Sequence, residues 1–321
     1  MLDDFINQFW PSTVDGLSLG AIYALVALGY TMVYGVLRLI NFAHADVFMI
    51  GTFAALWTVR SMGVDQVGGF ALIGVVVIMA VVAGAVAGGS AMLLEVTAYR
   101  PLRKRGASRL AALISAIGAS IFIQQLFGTV IIRHVFGTSK SGGKLPVNEH
   151  FRKLKTVIDI GPIHVSNDKL IVFVGAVLMM IALDQFVNRT KLGRGIRSTA
   201  QDPETAVLMG VNIDRVVQTT FLIGGIMAGV AAALYIVRIE QTDYFVGFLL
   251  GIKAFTAAVL GGIGNIRGAL AGGFVLGLLE TYGSSFFGSG WRDVVAFSLL
   301  ILVLMFRPTG IFGESLQQAR A

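Results

Sequence analysis

Long apolar runs follow one another along almost the whole chain, and short polar segments separate them. Most of the runs approach or exceed the roughly 20 residues that an α-helix needs to cross a bilayer. The runs cover residues 13–37, 41–59, 67–94, 110–132, 170–187, 216–237, 244–264, 268–288 and 294–306. The pattern predicts an all-α, polytopic membrane protein in which residues 1–321 form a single transmembrane domain. We expect eight or nine transmembrane helices, because the run 41–59 is either a full span or a re-entrant half-helix.

The composition agrees with a membrane protein and excludes several other classes. Hydrophobic residues make up 55% of the chain and charged residues 13%, against about 25% charged residues in soluble domains. The mean hydropathy is +0.79, and a soluble fold of this size has no means of hiding so much apolar surface. The chain has no cysteine, and its four histidines are not paired at metal-ligand spacing. We therefore predict a protein that is not an enzyme, with no catalytic residue, no metal site and no cofactor.

Basic residues are concentrated in two of the polar segments, 95–109 and 188–215. Lys and Arg are enriched in the cytoplasmic loops of membrane proteins, so both segments are predicted to be cytoplasmic. Orientation in the bilayer, rather than binding of nucleic acid, then explains the net charge of +7. With nine spans, the N-terminus lies outside and the C-terminus lies in the cytoplasm. The long segment 133–169 is then extracytoplasmic, with a small hairpin around 156–165.

The most polar cluster within an apolar run extends from Asn41 to Asp46 and includes His44. Ionisable groups are costly in lipid and usually face the interior of a helix bundle or a water-filled cavity. Asn41, His44 and Asp46 are therefore candidates for the lining of a translocation pathway. In the alternative interpretation, Asn41 caps the second helix, and His44 and Asp46 make polar contacts that fix a bend. The residues alone fit both interpretations.

Lys253 is a further ionisable residue inside an apolar run, 244–264. Its long side chain either reaches the outer interface of the membrane or meets a carboxylate such as that of Asp46 or Glu280. A contact with the carboxylate of a transported solute is a third alternative. For this reason Lys253 joins the candidate pathway residues.

Glycines recur at a spacing of four residues in three places. The pairs are Gly225 and Gly229, Gly268 and Gly272, and Gly273 and Gly277. This spacing places two small residues on one face of a helix, where another helix can approach closely. We expect these faces to pack helices within the subunit rather than to form a dimer surface.

A short helix is predicted inside the basic segment 188–215. Asp202 is a good N-cap, Pro203 suits the first helical position, and Gly210 is a suitable stop. The helix from 203 to 209 is too short to be stable alone in water, so we expect it to dock on another surface, and a helix that lies on the membrane is the alternative. The chain lacks the G-x-x-x-x-G-K-[ST] phosphate loop, so if the protein is driven by ATP, separate subunits must hydrolyse it.

The spacing of Glu204, Ala206 and Gly210 resembles the E-A-A-x-x-x-G loop of ABC importer permeases. Other parts of the chain resemble the LivH-type permeases of branched-chain amino acid importers. The similar stretches are YALVALGYTMVYGVLRLINFAHADVFMIG at 23–51, AYRPLR at 98–103, LISAIGASI at 113–121, IKAFTAAVLGGIGNIRGAL at 252–270 and DVVAFSLLILVLMFRPTG at 293–310. The chain departs from the family pattern at one place, where Ala45-Asp46 replaces Gly-Glu.

The resemblance implies the permease subunit of an ATP-driven importer of leucine, isoleucine and valine, in the plasma (inner) membrane of a bacterium. It also implies three kinds of partner: a second, related permease of the LivM type, two ABC ATPase subunits and an extracytoplasmic solute-binding protein. The residues that would couple the permease to the ATPases are Asp202, Pro203, Glu204, Ala206 and Gly210. A urea or short-amide importer is an alternative of the same class. An ATP-independent secondary transporter is an alternative of another class, but it leaves the short capped helix unexplained.

Overall fold

The computed structural model describes residues 2–137, 144–147, 151–160, 163–307 and 309–313, which are mostly helical. In chain order the helices are α1 (Leu2–Leu37), α2 (His44–Met62), α3 (Gly69–Leu94), α4 (Arg100–Lys104), α5 (Arg109–Leu126), α6 (Ile132–Val135), α7 (Asn167–Arg189), α8 (Lys191–Gln201), α9 (Pro203–Leu208), α10 (Ile213–Ile239), α11 (Val246–Gly261), α12 (Ile266–Phe287) and α13 (Arg292–Phe306). Two π-helical turns, Glu95–Tyr99 and Phe127–Ile131, join α3 to α4 and α5 to α6. The strands are β1 (Leu145–Pro146), β2 (Thr156–Ile160), β3 (Ile163–Ser166) and β4 (Gln241–Thr242). Each of the nine apolar runs therefore contains a helix.

Six helices of the described chain are long and apolar enough to cross a membrane, so the predicted number of eight or nine is not confirmed. These six are Gln8–Leu37, Gly69–Lys104, Arg109–Val135, Asn167–Arg189, Ile213–Ile239 and Ser289–Phe306. The three other apolar runs form α2, α11 and α12. α11 has only 16 residues and is about 24 Å long, which is less than the thickness of the bilayer core. Polar and small residues lower the hydropathy of α2 and α12.

α1 lies at the centre of the bundle and contacts α7, α10, α11 and α12. From Ala21 to Leu28 its side chains are all buried, as expected for a helix that is apolar on every side. α10 is the second central helix and packs along α2 and α3. α5 and α13 lie at the periphery and expose most of their apolar side chains.

The glycine pairs pack helices within the subunit, as predicted. Gly225 and Gly229 bring α10 against the backbone of α3. Of the two pairs on α12, Gly273 and Gly277 lie against α1, and the other pair lies against α11. A Cβ atom at position 225 would lie 2.7 Å from the carbonyl oxygen of Ala87, which is closer than real side chains approach. Glycine therefore permits the close crossing of α10 and α3.

Contacts between loops define two ends of the bundle. At the first end, Arg38 donates hydrogen bonds to the carbonyl oxygens of Ala200 (3.3 Å) and Gln201 (3.1 Å), so the loop after α1 meets the end of α8. At the second end, the backbone of Val67 pairs with the backbone on both sides of Arg152, and β1 pairs with β4. The basic segment 188–215 belongs to the first end.

The segment 133–169 belongs to the second end and contains the predicted hairpin. β2 and β3 pair in antiparallel register, and Nδ1 of His164 lies 2.7 Å from Oδ1 of Asp159. Arg152 fastens this segment to the helices, because its guanidinium group pairs with Asp168 (2.6 Å) and Glu240 (2.9 Å).

Candidate functional site

The predicted short helix is present as α9, and Asp202 caps it. One carboxylate oxygen of Asp202 accepts hydrogen bonds from the backbone N–H groups of Glu204 (3.0 Å) and Thr205 (3.3 Å). The other oxygen accepts a hydrogen bond from the Thr205 hydroxyl, and this bond is the largest cause of a pKa of Asp202 below its ordinary value. Pro203 occupies the first helical position. The sequence therefore predicted both the helix and its cap from local chemistry alone.

The end of α9 presents an apolar tip to the exterior. Val207, Leu208 and Met209 are 51%, 86% and 81% exposed, whereas Ala206 is buried against the bundle. Gly210 ends the helix with a φ of +84°, a conformation that favours glycine. An exposed apolar tip on a fixed, capped helix is a surface that another protein can cover. The sequence analysis identified the helix but not this tip.

α8 is amphipathic and packs against α9. Thr190 caps it by accepting a hydrogen bond from the N–H of Gly193 at 2.9 Å, and Ile196 faces inwards. A groove runs between α8, α9 and the start of α10, and Lys191, Arg194 and Arg215 are among its lining residues. The groove therefore carries positive charge beside the apolar tip of α9.

Ion pairs tie the start of α10 to the end of the continuous helical segment Gly69–Lys104, which is called the α3 rod below. Arg103 lies 2.6 Å from a carboxylate oxygen of Asp214 and 3.0 Å from one of Glu95. Arg100 also reaches Asp214, at 3.4 Å. Glu95 is fully buried in its π-helical turn, so Arg103 supplies the cation that a buried carboxylate requires. Because Asp214 closely follows Gly210, this cluster connects the chain that follows α9 to a second helical segment.

Asn41 does not cap α2 with its side chain, so the predicted cap is wrong. The N-cap residue of α2 is Ala43, and the side-chain oxygen of Asn41 instead accepts a hydrogen bond from the hydroxyl of Tyr99 at 2.8 Å. The backbone carbonyl of Asn41 accepts the N–H of His44 at 3.1 Å. Asn41 therefore fixes the loop before α2 to the α3 rod.

His44 is buried at the start of α2 and packs edge-on against Tyr30, with ring centroids 4.7 Å apart. Its Nε2 atom has no hydrogen-bond partner among the described residues. This atom points at Gly29 of α1, where any Cβ atom would collide with it. The imidazole ring therefore occupies a space that only glycine leaves open.

Asp46 lies in the first turn of α2 and is completely buried. Its Oδ1 atom accepts a hydrogen bond from the side-chain amide of Gln124 on α5 at 2.9 Å. Its Oδ2 atom accepts none from the described residues. Gln124 was not predicted as a site residue, although two adjacent glutamines inside the apolar run 110–132 were a visible signal.

Lys253 belongs to a different network. Its Nζ atom lies 2.9 Å from Glu280 and 2.7 Å from Asp293, and Glu280 also accepts a hydrogen bond from the hydroxyl of Tyr23 at 2.9 Å. The predicted contact with Glu280 is therefore present, and a contact with Asp46 is not. Lys253 links α11, α12 and α13, while Asn41, His44 and Asp46 gather at the start of α2.

No group of three or more His, Cys, Asp or Glu side chains in the described part of the chain could hold a metal ion. The chemistry of the cluster at α2 is that of hydrogen-bond acceptors and one carboxylate beside aromatic rings. Such groups can contact a small polar solute. They form no nucleophile–base pair.

Comparison with known proteins gives matches along most of the chain. The family model described as "Branched-chain amino acid transport system / permease component" matches residues 12–304. The high-affinity branched-chain amino acid transport system permease protein BraD of Pseudomonas aeruginosa is 42% identical over 314 residues, which are 96% of this chain and 97% of BraD. The corresponding permease protein LivH of Escherichia coli K12 is 40% identical over 320 residues, 98% of each chain.

A more distant relative comes from an archaeon. The probable branched-chain amino acid transport permease protein LivH of Methanocaldococcus jannaschii is 27% identical over 301 residues, which are 90% of this chain and 88% of that protein. No solved structure matches the chain significantly.

Proposed function

The chain belongs to the permease family of branched-chain amino acid transport systems, and from this premise we propose that it is the membrane subunit of an ATP-driven importer of leucine, isoleucine and valine. Similarity to BraD and LivH along nearly the whole chain supports the transport role. One structural observation supports the proposal that the transport is driven by ATP. It is a capped helix, α9, whose apolar tip is exposed at the first end of the bundle.

α9 is the coupling helix in this proposal. Asp202 and Pro203 start it, Glu204 and Ala206 lie within it, and Gly210 ends it. The tip of α9 inserts into a groove on an ATPase subunit, so that closure of the ATPases moves α9 together with α8 and α10. Alternating access of the helix bundle to the two sides of the membrane follows from that movement. ATP hydrolysis belongs to the partner subunits, so this chain is itself not an enzyme.

The complete importer contains a second permease of the LivM type, two ABC ATPases and an extracytoplasmic solute-binding protein. The first end of the bundle, with the basic segment 188–215, faces the cytoplasm. The N-terminus then lies outside and the C-terminus in the cytoplasm of a bacterial cell, and the protein lies in its plasma membrane. α2, α11 and α12 join the six helices that are long and apolar enough to span, and together they complete a nine-helix membrane unit.

Asn41, His44, Asp46 and Lys253 are the proposed pathway residues. The solutes are zwitterions with an aliphatic side chain, so a path for them needs a few polar groups among apolar walls. The start of α2 supplies Asn41, His44 and Asp46 beside the ring of Tyr30. Lys253 is held by Glu280 and Asp293, so it contributes to the path only in a state where these ion pairs open.

The experiment is uptake of labelled leucine by liposomes that contain the complete importer, with urea as a parallel solute. Native protein is compared with Glu204→Arg on α9. ATP-dependent uptake of leucine that falls at least tenfold in the variant supports both the solute and the coupling helix.

Two other results would redirect the proposal. Uptake of urea but not leucine would keep the ABC architecture and replace the solute with urea or a short amide. Uptake without ATP or partner subunits, unchanged by Glu204→Arg, would move the chain to the secondary transporters.

A further inference from the structure

Asp46 is a buried carboxylate that lacks a cation. The side chains that face it are neutral: the Gln124 amide donates to Oδ1 at 2.9 Å, the Ser120 hydroxyl also faces the carboxylate, and Oδ2 has no partner among the described residues. No lysine or arginine of the described chain forms an ion pair with it. The other fully buried carboxylates are different, because Glu95 has Arg103 and Glu280 has Lys253. A buried charge is costly unless it is paired, so a cation that reached Asp46 would be bound favourably.

The start of α2 lies inside the bundle, beside the start of α11. Ala45 packs against Gly247 and Gly251 of α11, where added Cβ atoms would collide with it. Further along α2, the buried hydroxyls of Thr52 and Thr242 lie 2.7 Å apart. Thr242 belongs to the non-helical segment between α10 and α11, so this segment enters the bundle. Irregular backbone at membrane depth is tolerated where it is buried in protein or lines a cavity. Asp46 is therefore next to a natural interruption of the helices.

α5 is the helix that covers Asp46, and it is weakly attached to the bundle. Only Ala112 and Ala116 are buried along α5, while Gln125 is exposed near the middle of a rod long enough to span the membrane. The π-helical turn Phe127–Ile131 follows immediately, and such turns often occur at functional sites. A carboxamide exposed to lipid would be unfavourable, so this face of α5 faces a polar path or a protein rather than lipid.

We infer that Asp46 receives the ammonium group of the transported amino acid, and that Gln124 on α5 occupies this site until α5 moves away. The amide N–H of Gln124 and the N–H of an ammonium group can both donate to the same carboxylate oxygen, so the carboxylate has a hydrogen-bond donor before and after the exchange. The ammonium group adds the positive charge that Gln124 lacks and can reach the unpartnered Oδ2 atom. This inference rests on the proposed function, because it takes an amino acid as the solute.

The test uses the absence of cysteine in the chain. Gln124→Cys is introduced into the complete importer, with cysteine-free partner subunits, and modified with a cationic or an anionic methanethiosulfonate reagent. We expect the cationic reagent to react at least tenfold faster than the anionic one, because Asp46 attracts it. Added leucine should slow the cationic reaction during turnover. Gln125→Cys is the matched control on the adjacent exposed position, where the two reagents should react at similar rates.

A second variant tests the role of the carboxylate itself. Adding Asp46→Asn to Gln124→Cys should abolish the charge preference. Asp46→Asn alone should lower leucine uptake at least tenfold while ATP hydrolysis and assembly persist. Equal rates of the two reagents at Gln124→Cys, a preference that survives Asp46→Asn, or normal uptake by Asp46→Asn would each overturn the inference.

The proposed function and the role of Asp46 can fail separately. If the native importer takes up no leucine, the proposed function fails, whatever the labelling shows. If native uptake is present and Gln124→Cys never reacts while Gln125→Cys does, α5 does not open, and only the inference fails.

Discussion

At the scale of single residues, a glycine on one helix leaves room for a polar side chain of a neighbouring helix. His44 is the clearest case, since its ring fits only because residue 29 is glycine. The sequence showed that His44 was buried in an apolar run, but it gave no indication of the partner on α1. Contacts between helices that are distant along the chain depend on packing, which a single sequence does not reveal.

Gly29→Ala should destabilise the protein. The new methyl group overlaps Nε2 of His44, and overpacking of this kind costs about 1–3 kcal/mol. Denaturant unfolding in detergent micelles measures the effect. Gly35→Ala on the same helix is the control, because nothing lies within 4 Å of a Cβ atom there. Equal stability of the two variants would contradict the role assigned to Gly29.

Asp202→Ala should lower ATP-driven uptake several-fold, because α9 loses its cap. Asp202→Asn should retain most of the activity, since asparagine caps helices as well as aspartate does. Uptake rates at equal amounts of assembled complex provide the measurement. If asparagine is as harmful as alanine, the charge of Asp202 acts on a partner and capping is secondary.

At the scale of helices and their connections, two ion clusters join helices in addition to the apolar packing between them. Arg103 joins the α3 rod to α10, and Lys253 joins α13 to α11 and α12. Both clusters combine a fully buried carboxylate with a more exposed one. The sequence predicted a contact of Lys253 with Glu280, but the role of Asp293 required the three-dimensional arrangement of α13.

Arg103→Met should leave Glu95 buried without its cation and should also free the start of α10. Loss of one partner of a buried pair costs up to about 3–5 kcal/mol, and the partial exposure of Arg103 reduces this figure. We expect lower stability and fewer solute molecules moved per ATP. The control is Arg105→Met, because Arg105 is exposed nearby. An unchanged ratio of transport to hydrolysis would show that the cluster is structural only.

Lys253→Met should destabilise the protein by about 3–5 kcal/mol, because Glu280 then stays buried without a cation. The double variant Lys253→Met/Glu280→Gln should recover part of the loss, since the uncompensated charge is gone. Denaturant unfolding in micelles again compares the variants. No recovery in the double variant would mean that Lys253 acts chiefly through Asp293.

At the scale of the whole molecule, the sequence predicted the helical class and the positions of all nine apolar helices. It did not predict which of them are too short or too polar to count as spans, as the 16 residues of α11 demonstrate. It also identified Asn41, His44 and Asp46 as one cluster, because they are adjacent in the chain. Gln124 and Tyr99, which complete that cluster, come from distant helices and became visible only in the fold.

The orientation of the bundle has a direct test. Ala107 is exposed near the first end and Asp65 near the second. In intact cells, a membrane-impermeant thiol reagent should modify Asp65→Cys, whereas Ala107→Cys should react only after permeabilisation. The opposite pattern would invert the orientation and place α9 on the side without ATP.

The burial of α1 has a consequence for how the protein is made. α1 leaves the ribosome before the helices that later surround it, and the partner of Tyr23 on α12 follows 257 residues later. At about 5–20 residues per second, this interval lasts roughly 13–51 s. During that time the polar groups of α1 have no native partners in the bilayer. Translation arrest before α12 should therefore leave an incomplete chain that membrane quality-control proteases recognise.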